Sequence, residues 1–122
     1  MALPPWAEKI EDTFPLVRWA SPDDVLQVLP HQMEWVLDTV DESLGSSVEA
    51  DLFVQILDLS EHGLRELEAP NGRLGMFSLI SEQQGLAILL FLCWVATRPF
   101  TLGFEQTTYD AIGYWAARIL QV

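Results

Sequence analysis

Gly85 to Ala96 read G-L-A-I-L-L-F-L-C-W-V-A, an uncharged and almost wholly apolar run of twelve residues in a chain of 122. Ser81-Glu82-Gln83-Gln84 precedes it and Arg98-Pro99 follows it. Ser81 and Gln84 stand three residues apart, so each side chain can accept the other's orphan backbone N–H as a capping box. The residue ahead of a proline avoids helical geometry, so Arg98 closes what Ser81 opens. The run is too short for the ~20 residues that cross a bilayer. A helix that is oily nearly all round belongs inside a fold, which predicts a central core helix over about 82–97.

The rest of the chain repeats helix punctuation without the alternation of a strand. Pro4 and Pro5 can open a first helix with Trp6 and Ile10 on one face, ending before Phe14-Pro15. Ser21-Pro22-Asp23-Asp24 starts a second, with Ser21 as N-cap, proline at the first position and acids at the positive end of the dipole. Pro30 ends that helix and begins a third, which runs to Leu44 with Gly45 as its stop. Ser46 and Ser47 cap a fourth over about Val48–Leu67, which Gly63 can break. Ala69 to Gly75, A-P-N-G-R-L-G, is turn chemistry and the one candidate linker. Thr107-Thr108-Tyr109-Asp110 offers a second capping box, opening a last helix with Tyr109, Ile112, Trp115, Ala116 and Ile119 on one side. The expectation is an all-α, single-domain bundle of five or six helices spanning residues 1–122, with no internal repeat.

Charge narrows the function classes. Eighteen acids against six bases give a net charge of −12. Nucleic acid is a poor partner, since binding it requires Lys and Arg on phosphates. A basic protein is a good one, because an anionic surface attracts it and steers its approach. Cys93, the single cysteine, lies within the apolar run; it reads as a small buried hydrophobe in a reducing cytoplasm. The first residues, M-A-L-P-P-W-A-E-K-I-E-D, have neither the basic head nor the oily run of a secretory signal, so cytoplasmic and not membrane-bound is the expectation.

The acids are concentrated. Between Glu34 and Glu68 there are ten, offset only by Arg65. In the third predicted helix Met33, Val36, Leu37, Val40 and Leu44 fall within roughly 100° of one another and form the stripe to be buried. Glu34, Asp38, Asp41 and Glu42 occupy the remaining arc, with Trp35 beside Asp38 and Glu42, pointing away from the core. Like charges at i, i+4, i+7 and i+8 repel. That spacing either belongs to an ordinary solvated face or marks a contact surface with an aromatic anchor. If the third and fourth helices pack antiparallel across G-S-S, Asp51 and Asp58 extend it into one continuous anionic surface. The candidate partner-binding residues are therefore Glu34, Trp35, Asp38, Asp41, Glu42, Asp51 and Asp58.

Catalytic and metal signatures are missing from the sequence. His31 and His62 sit in no ligand spacing such as H-x-x-x-H. In Ser60-Glu61-His62, side chains at i and i+2 do not face each other on a helix. Asn71-Gly72 and Gly75 lack the pattern of a phosphate loop. Neither a cofactor, a metal nor a catalytic residue is expected. Arg73 and Arg98 stand out in so acidic a chain; capping of carbonyls or local ion pairing accounts for them, a small anionic ligand being the alternative.

Ser21-Pro22 with Leu29-Pro30, then Phe77-Ser78-Leu79-Ile80-Ser81-Glu82-Gln83-Gln84, then Ala87-Ile88 with Phe91-Leu92, resemble a family of small bacterial helical proteins, a domain of unknown function. The resemblance covers roughly Phe14 to Leu120, and departs from the family pattern at Val28, where an aromatic is commoner. It implies a bacterial helical domain and transfers no functional residue. In size and charge alone the chain is similar to immunity proteins that neutralise toxins. The expected function is thus a non-enzymatic acidic protein of the immunity or inhibitor kind. Its partner would be basic, a toxin or a nucleic-acid-binding protein. A homo-oligomeric accessory protein and an enzyme with an unrecognised site are the alternatives.

Overall fold

Capping boxes and prolines that punctuate the sequence translate into helices joined by short connections. The computed structural model describes residues 7–13, 21–39, 48–67, 72–98 and 104–120. A 3₁₀ turn at Ile10–Thr13 is followed by α1 (Pro22–Thr39), α2 (Val48–Leu57), α3 (Glu61–Glu66), α4 (Arg73–Met76), α5 (Glu82–Ala96) and α6 (Glu105–Leu120). The fold is all-α, with no strand among the described residues. None of these helices is long and apolar enough to cross a membrane.

Pro30 does not divide the second predicted helix from the third: α1 runs through it. A proline inside a helix removes one hydrogen bond and crowds the preceding turn. Here both halves are held to the same core, through Val25, Val28 and Leu29 before it and Gln32 and Val36 after it. That buried stripe at i, i+3, i+4, i+7 and i+11 sets a phase different from the one expected. Val36 is buried, but Met33 is half-buried and Leu37 is 47% exposed. Val40, Leu44 and the Gly45 stop lie outside the described residues. At the start of the helix the Asp24 carboxylate accepts the Ser21 backbone N–H at 3.1 Å.

Gln32 is a polar residue in that stripe, and its amide has a use. Nε2 donates to the Thr13 carbonyl (3.3 Å) and hydroxyl (3.1 Å), tying the 3₁₀ turn to α1. The Thr13 hydroxyl itself donates to Ile10 O at 2.6 Å, so it can only accept from Gln32, which fixes the orientation of the amide.

The fourth predicted helix is broken at Asp58-Leu59-Ser60, five residues before Gly63. Ser60 restarts the chain as N-cap of α3, its hydroxyl accepting the Gly63 N–H at 3.1 Å. Gly63 is required for a different reason from the one expected. The chain doubles back so tightly that a Cβ at this position would stand 2.3 Å from both Cγ and the carbonyl oxygen of Asp58. Gly72, immediately before α4, holds a left-handed backbone conformation, φ +73°.

Arg73 is almost wholly buried and explains why this broken region holds together. Nε donates to Leu67 O at 3.0 Å, and Nη1 to Gln55 O (2.6 Å), Ile56 O (2.9 Å) and Asp58 O (3.0 Å). Nη2 donates to Gly63 O. Carbonyls at the end of α2 and within α3, some of them already accepting a backbone N–H, thus meet one cation, which also suits the negative end of the α2 dipole. Trp115 finishes the cap from α6, its Nε1 donating to Leu57 O at 2.8 Å. Arg118, one turn on, donates to Phe77 O (2.8 Å) and Ile80 O (3.2 Å), with its guanidinium 4.8 Å from the Trp115 ring centre.

The Ser81–Gln84 capping box is present with both hydrogen bonds, and α5 matches its predicted span within a residue. The helix pairs most extensively with α6, and α2 also lies against α6. Its core contacts come from Ile88, Phe91, Leu92 and Val95, and Gly85 is buried facing Trp115 and Ile119 of α6. The second capping box does not form. Helix α6 begins at Glu105, and Thr108 is an interior residue whose hydroxyl donates to Phe104 O at 3.0 Å.

Two expectations about α5 are overturned. It is not buried all round: Leu86 and Leu90 are 45% and 61% exposed, and Cys93 is exposed as well rather than a core residue. The buried face is filled by Ile88, Phe91, Leu92 and Val95. At about 100° per residue Leu86, Leu90, Cys93 and Thr97 share one outward arc of roughly 60°.

Candidate functional site

The structure describes five of the seven residues of the predicted contact surface. Glu34 and Asp38, one turn apart on α1, are exposed, and neither makes an ion pair among the described residues. Two of the six bases are engaged elsewhere: Arg65 pairs with Glu61 at 3.8 Å, and Arg73 is buried on carbonyls. Trp35 does not point away from the core as expected. It is half-buried and packs against the core's edge, because the whole stripe of α1 is rotated toward it. Asp41 and Glu42 lie outside the described residues.

The extension of this surface onto α2 is corrected. Asp51 is half-buried and accepts a hydrogen bond from Gln55 at 3.3 Å. Asp58 is 1% exposed and belongs to the interior of the α2–α3 break. Nor are α1 and α2 among the helix pairs with extensive contact. The continuous sheet of acids inferred from an antiparallel pair is therefore absent among the described residues.

What stands beside Glu34 instead is an apolar groove of about 290 Å³ between α1 and the start of α5. Leu26, Leu29, Pro30, Met33 and Leu37 form one wall, Ile80, Ala87 and Ile88 the other, with Glu34 and Gln84 its only polar lining residues. Pro30 contributes directly, since its ring replaces a backbone N–H with hydrocarbon at the groove wall. Met33, unbranched and flexible, can refit its side chain to an occupant. This groove has no sequence signature, because its walls come from helices about fifty residues apart.

A second constellation lies where α2, α3 and α6 meet. Asp58 follows the last residue of α2, His62 is in the first turn of α3, and Asp110 projects from α6. One donor atom from each falls within 4.8 Å of the others. His62 Nδ1 stands 3.7 Å from Asp110 Oδ2, and its Nε2 3.6 Å from Glu66 Oε1. Each aspartate is anchored through Oδ1, Asp58 by the Ser60 backbone N–H (3.1 Å) and Asp110 by Gln106 Nε2 (2.9 Å). Burial pushes the Asp58 carboxyl above the ordinary carboxylate range, and neighbouring Asp110 adds to the effect. The hydrogen bonds from Ser60 and the charge of Arg73 oppose it. Burial likewise lowers the pKa of the Arg73 guanidinium, against the pull of Asp58.

The chain matches no family model, no curated protein and no solved structure. The two sites thus rest on geometry alone. His62 sits in no ligand spacing along the chain, because its companions come from elements separated by up to about fifty residues. No signal in the sequence could have joined Asp58 to Asp110.

Proposed function

We propose that this chain is a non-enzymatic binding protein whose α1 face, with the groove beside it, receives a basic amphipathic helix from a partner protein. One observation carries the reading: an apolar trough with unpaired Glu34 on its rim, Asp38 one turn further along, and no cation in its lining. A partner helix lays side chains at i, i+3, i+4 and i+7 into such a trough, and Lys or Arg flanking them would meet the two carboxylates. The net charge of −12 supports the choice of a basic partner, because it raises the encounter rate with one and repels an acidic one. An immunity or inhibitor protein that holds a toxin or a nucleic-acid-binding protein inactive would use this chemistry.

The test is fluorescence anisotropy with a labelled synthetic helix, Leu on one face and Lys flanking it, against its twin in which every Lys is Glu. The basic peptide should bind, weaken with added salt, and lose about tenfold in affinity to a Glu34→Lys/Asp38→Lys variant. Equal binding of the two peptides, or no change in the variant, would refute the reading.

Self-association is a second reading, favoured by the outward arc of Leu86, Leu90 and Cys93. From Glu82 to Thr97 the only charged residue is Glu82, so α5 offers copies of this acidic chain a place to meet without repulsion. Light scattering across a salt series distinguishes the two: a dimer held by α5 survives high salt and is broken by Leu90→Glu.

A further inference from the structure

We propose that Asp58, His62 and Asp110 together bind one divalent transition-metal ion, which fastens α3 to α6. The donor set is one imidazole and two carboxylates, converging within 4.8 Å from three separate elements. That combination suits Zn²⁺ or a neighbouring first-row ion. Ca²⁺ and Mg²⁺ prefer oxygen alone.

A second observation points the same way. Asp58 is 1% exposed, yet its carboxylate makes no ion pair among the described residues; the nearby guanidinium of Arg73 is directed at carbonyls instead. A buried carboxylate left in this condition is costly unless a cation or a proton answers it. The two hydrogen bonds at Oδ1 orient the aspartates as outer partners orient metal ligands. Gly63 leaves the space into which the group is folded, and a cavity of about 150 Å³ lined by Asp58, His62, Glu66 and Thr107 gives an ion a route from solvent. The donor atoms need to draw in by a fraction of their present spacing to reach bonds of ~2.1 Å, and the exposed His62 side chain is free to turn.

Tag-free protein, stripped with EDTA, is titrated with ZnCl₂ at pH 7.5 by calorimetry and melted with and without the ion, MgCl₂ serving as control. One equivalent of Zn²⁺ should bind and raise Tm, while Mg²⁺ does neither. His62→Ala and Asp110→Asn should each weaken binding at least tenfold; both residues lie outside the core, so the metal-free variants should melt near wild type. Cys93→Ser should leave binding unchanged. Absence of saturable 1:1 binding, or full affinity in His62→Ala or Asp110→Asn, overturns the proposal.

Discussion

Replacing Arg73 by Met removes five donated hydrogen bonds while keeping an unbranched apolar stem of similar length. The bonds to Ile56, Asp58 and Gly63 are buried, whereas those to Leu67 and Gln55 are partly open, so water can replace the donor there. A buried carbonyl left without a partner costs about 1–3 kcal/mol. Two of them, Ile56 O and Asp58 O, are orphaned, since Gly63 O still accepts the Leu67 N–H at 3.1 Å; softened because they share one cation and because removing it relieves a desolvation penalty, they give a loss of roughly 2–4 kcal/mol. That is a large part of the ~5–15 kcal/mol that holds a domain together. In urea, with a slope of ~1–3 kcal/mol per M, the midpoint should fall by about 2 M, followed by far-ultraviolet circular dichroism and tryptophan fluorescence on the same samples. Arg73→Lys keeps the charge but offers three donors instead of five, and should fall between wild type and Arg73→Met. A loss below about 1 kcal/mol in Arg73→Met would refute the assignment of this residue as the clamp on the α2–α3 break, given that an unused buried cation would cost as much as it contributes.

The remaining expectations concern the residues around that clamp. Gly63→Ala should destabilise by about 2 kcal/mol in the same urea assay, since the clash with the Asp58 backbone outweighs the ~1 kcal/mol gained in helix propensity. Trp115→Phe should cost about 1–2 kcal/mol, at the low end for a lost indole hydrogen bond because Leu57 O also accepts the Leu59 N–H at 3.1 Å. For Asp58 the folded pKa is raised, so the native state holds the proton more tightly than the unfolded chain. The stability it contributes is full below the unfolded pKa and is lost as pH rises through the folded value. Asp58→Asn, measured without added metal, should therefore melt above wild type near pH 7, with the difference shrinking toward pH 4; a difference that grows on acidification would reverse the sign of the argument.

The prediction that succeeded at residue level is the Ser81–Gln84 box, and it did so because both partners lie within one helical turn. The failures share a cause. Local geometry makes Pro30 a boundary, yet contacts on both sides of it hold α1 in one piece. Thr107–Asp110 has the spacing of a cap, but α6 starts at Glu105, two residues upstream. Asp58 looked like one more surface acid, since nothing adjacent in the chain announces that Gly63 and Arg73 close over it. Glu34 and Asp38 stayed exposed as expected, and the groove beside them went unforeseen.

By itself the sequence determined the helical class, the start of α5 and the excess of negative charge, because capping, proline geometry and net charge depend on residues within a few positions or on composition alone. Tertiary structure alone decided which carbonyls Arg73 caps, and that Arg118 answers those of Phe77 and Ile80. It also decided that α5 leaves Leu90 in solvent, and that His62 meets two aspartates. Each of those outcomes depends on which distant elements pack together, and side chains far apart in the chain carry no record of that until burial brings them within hydrogen-bonding reach.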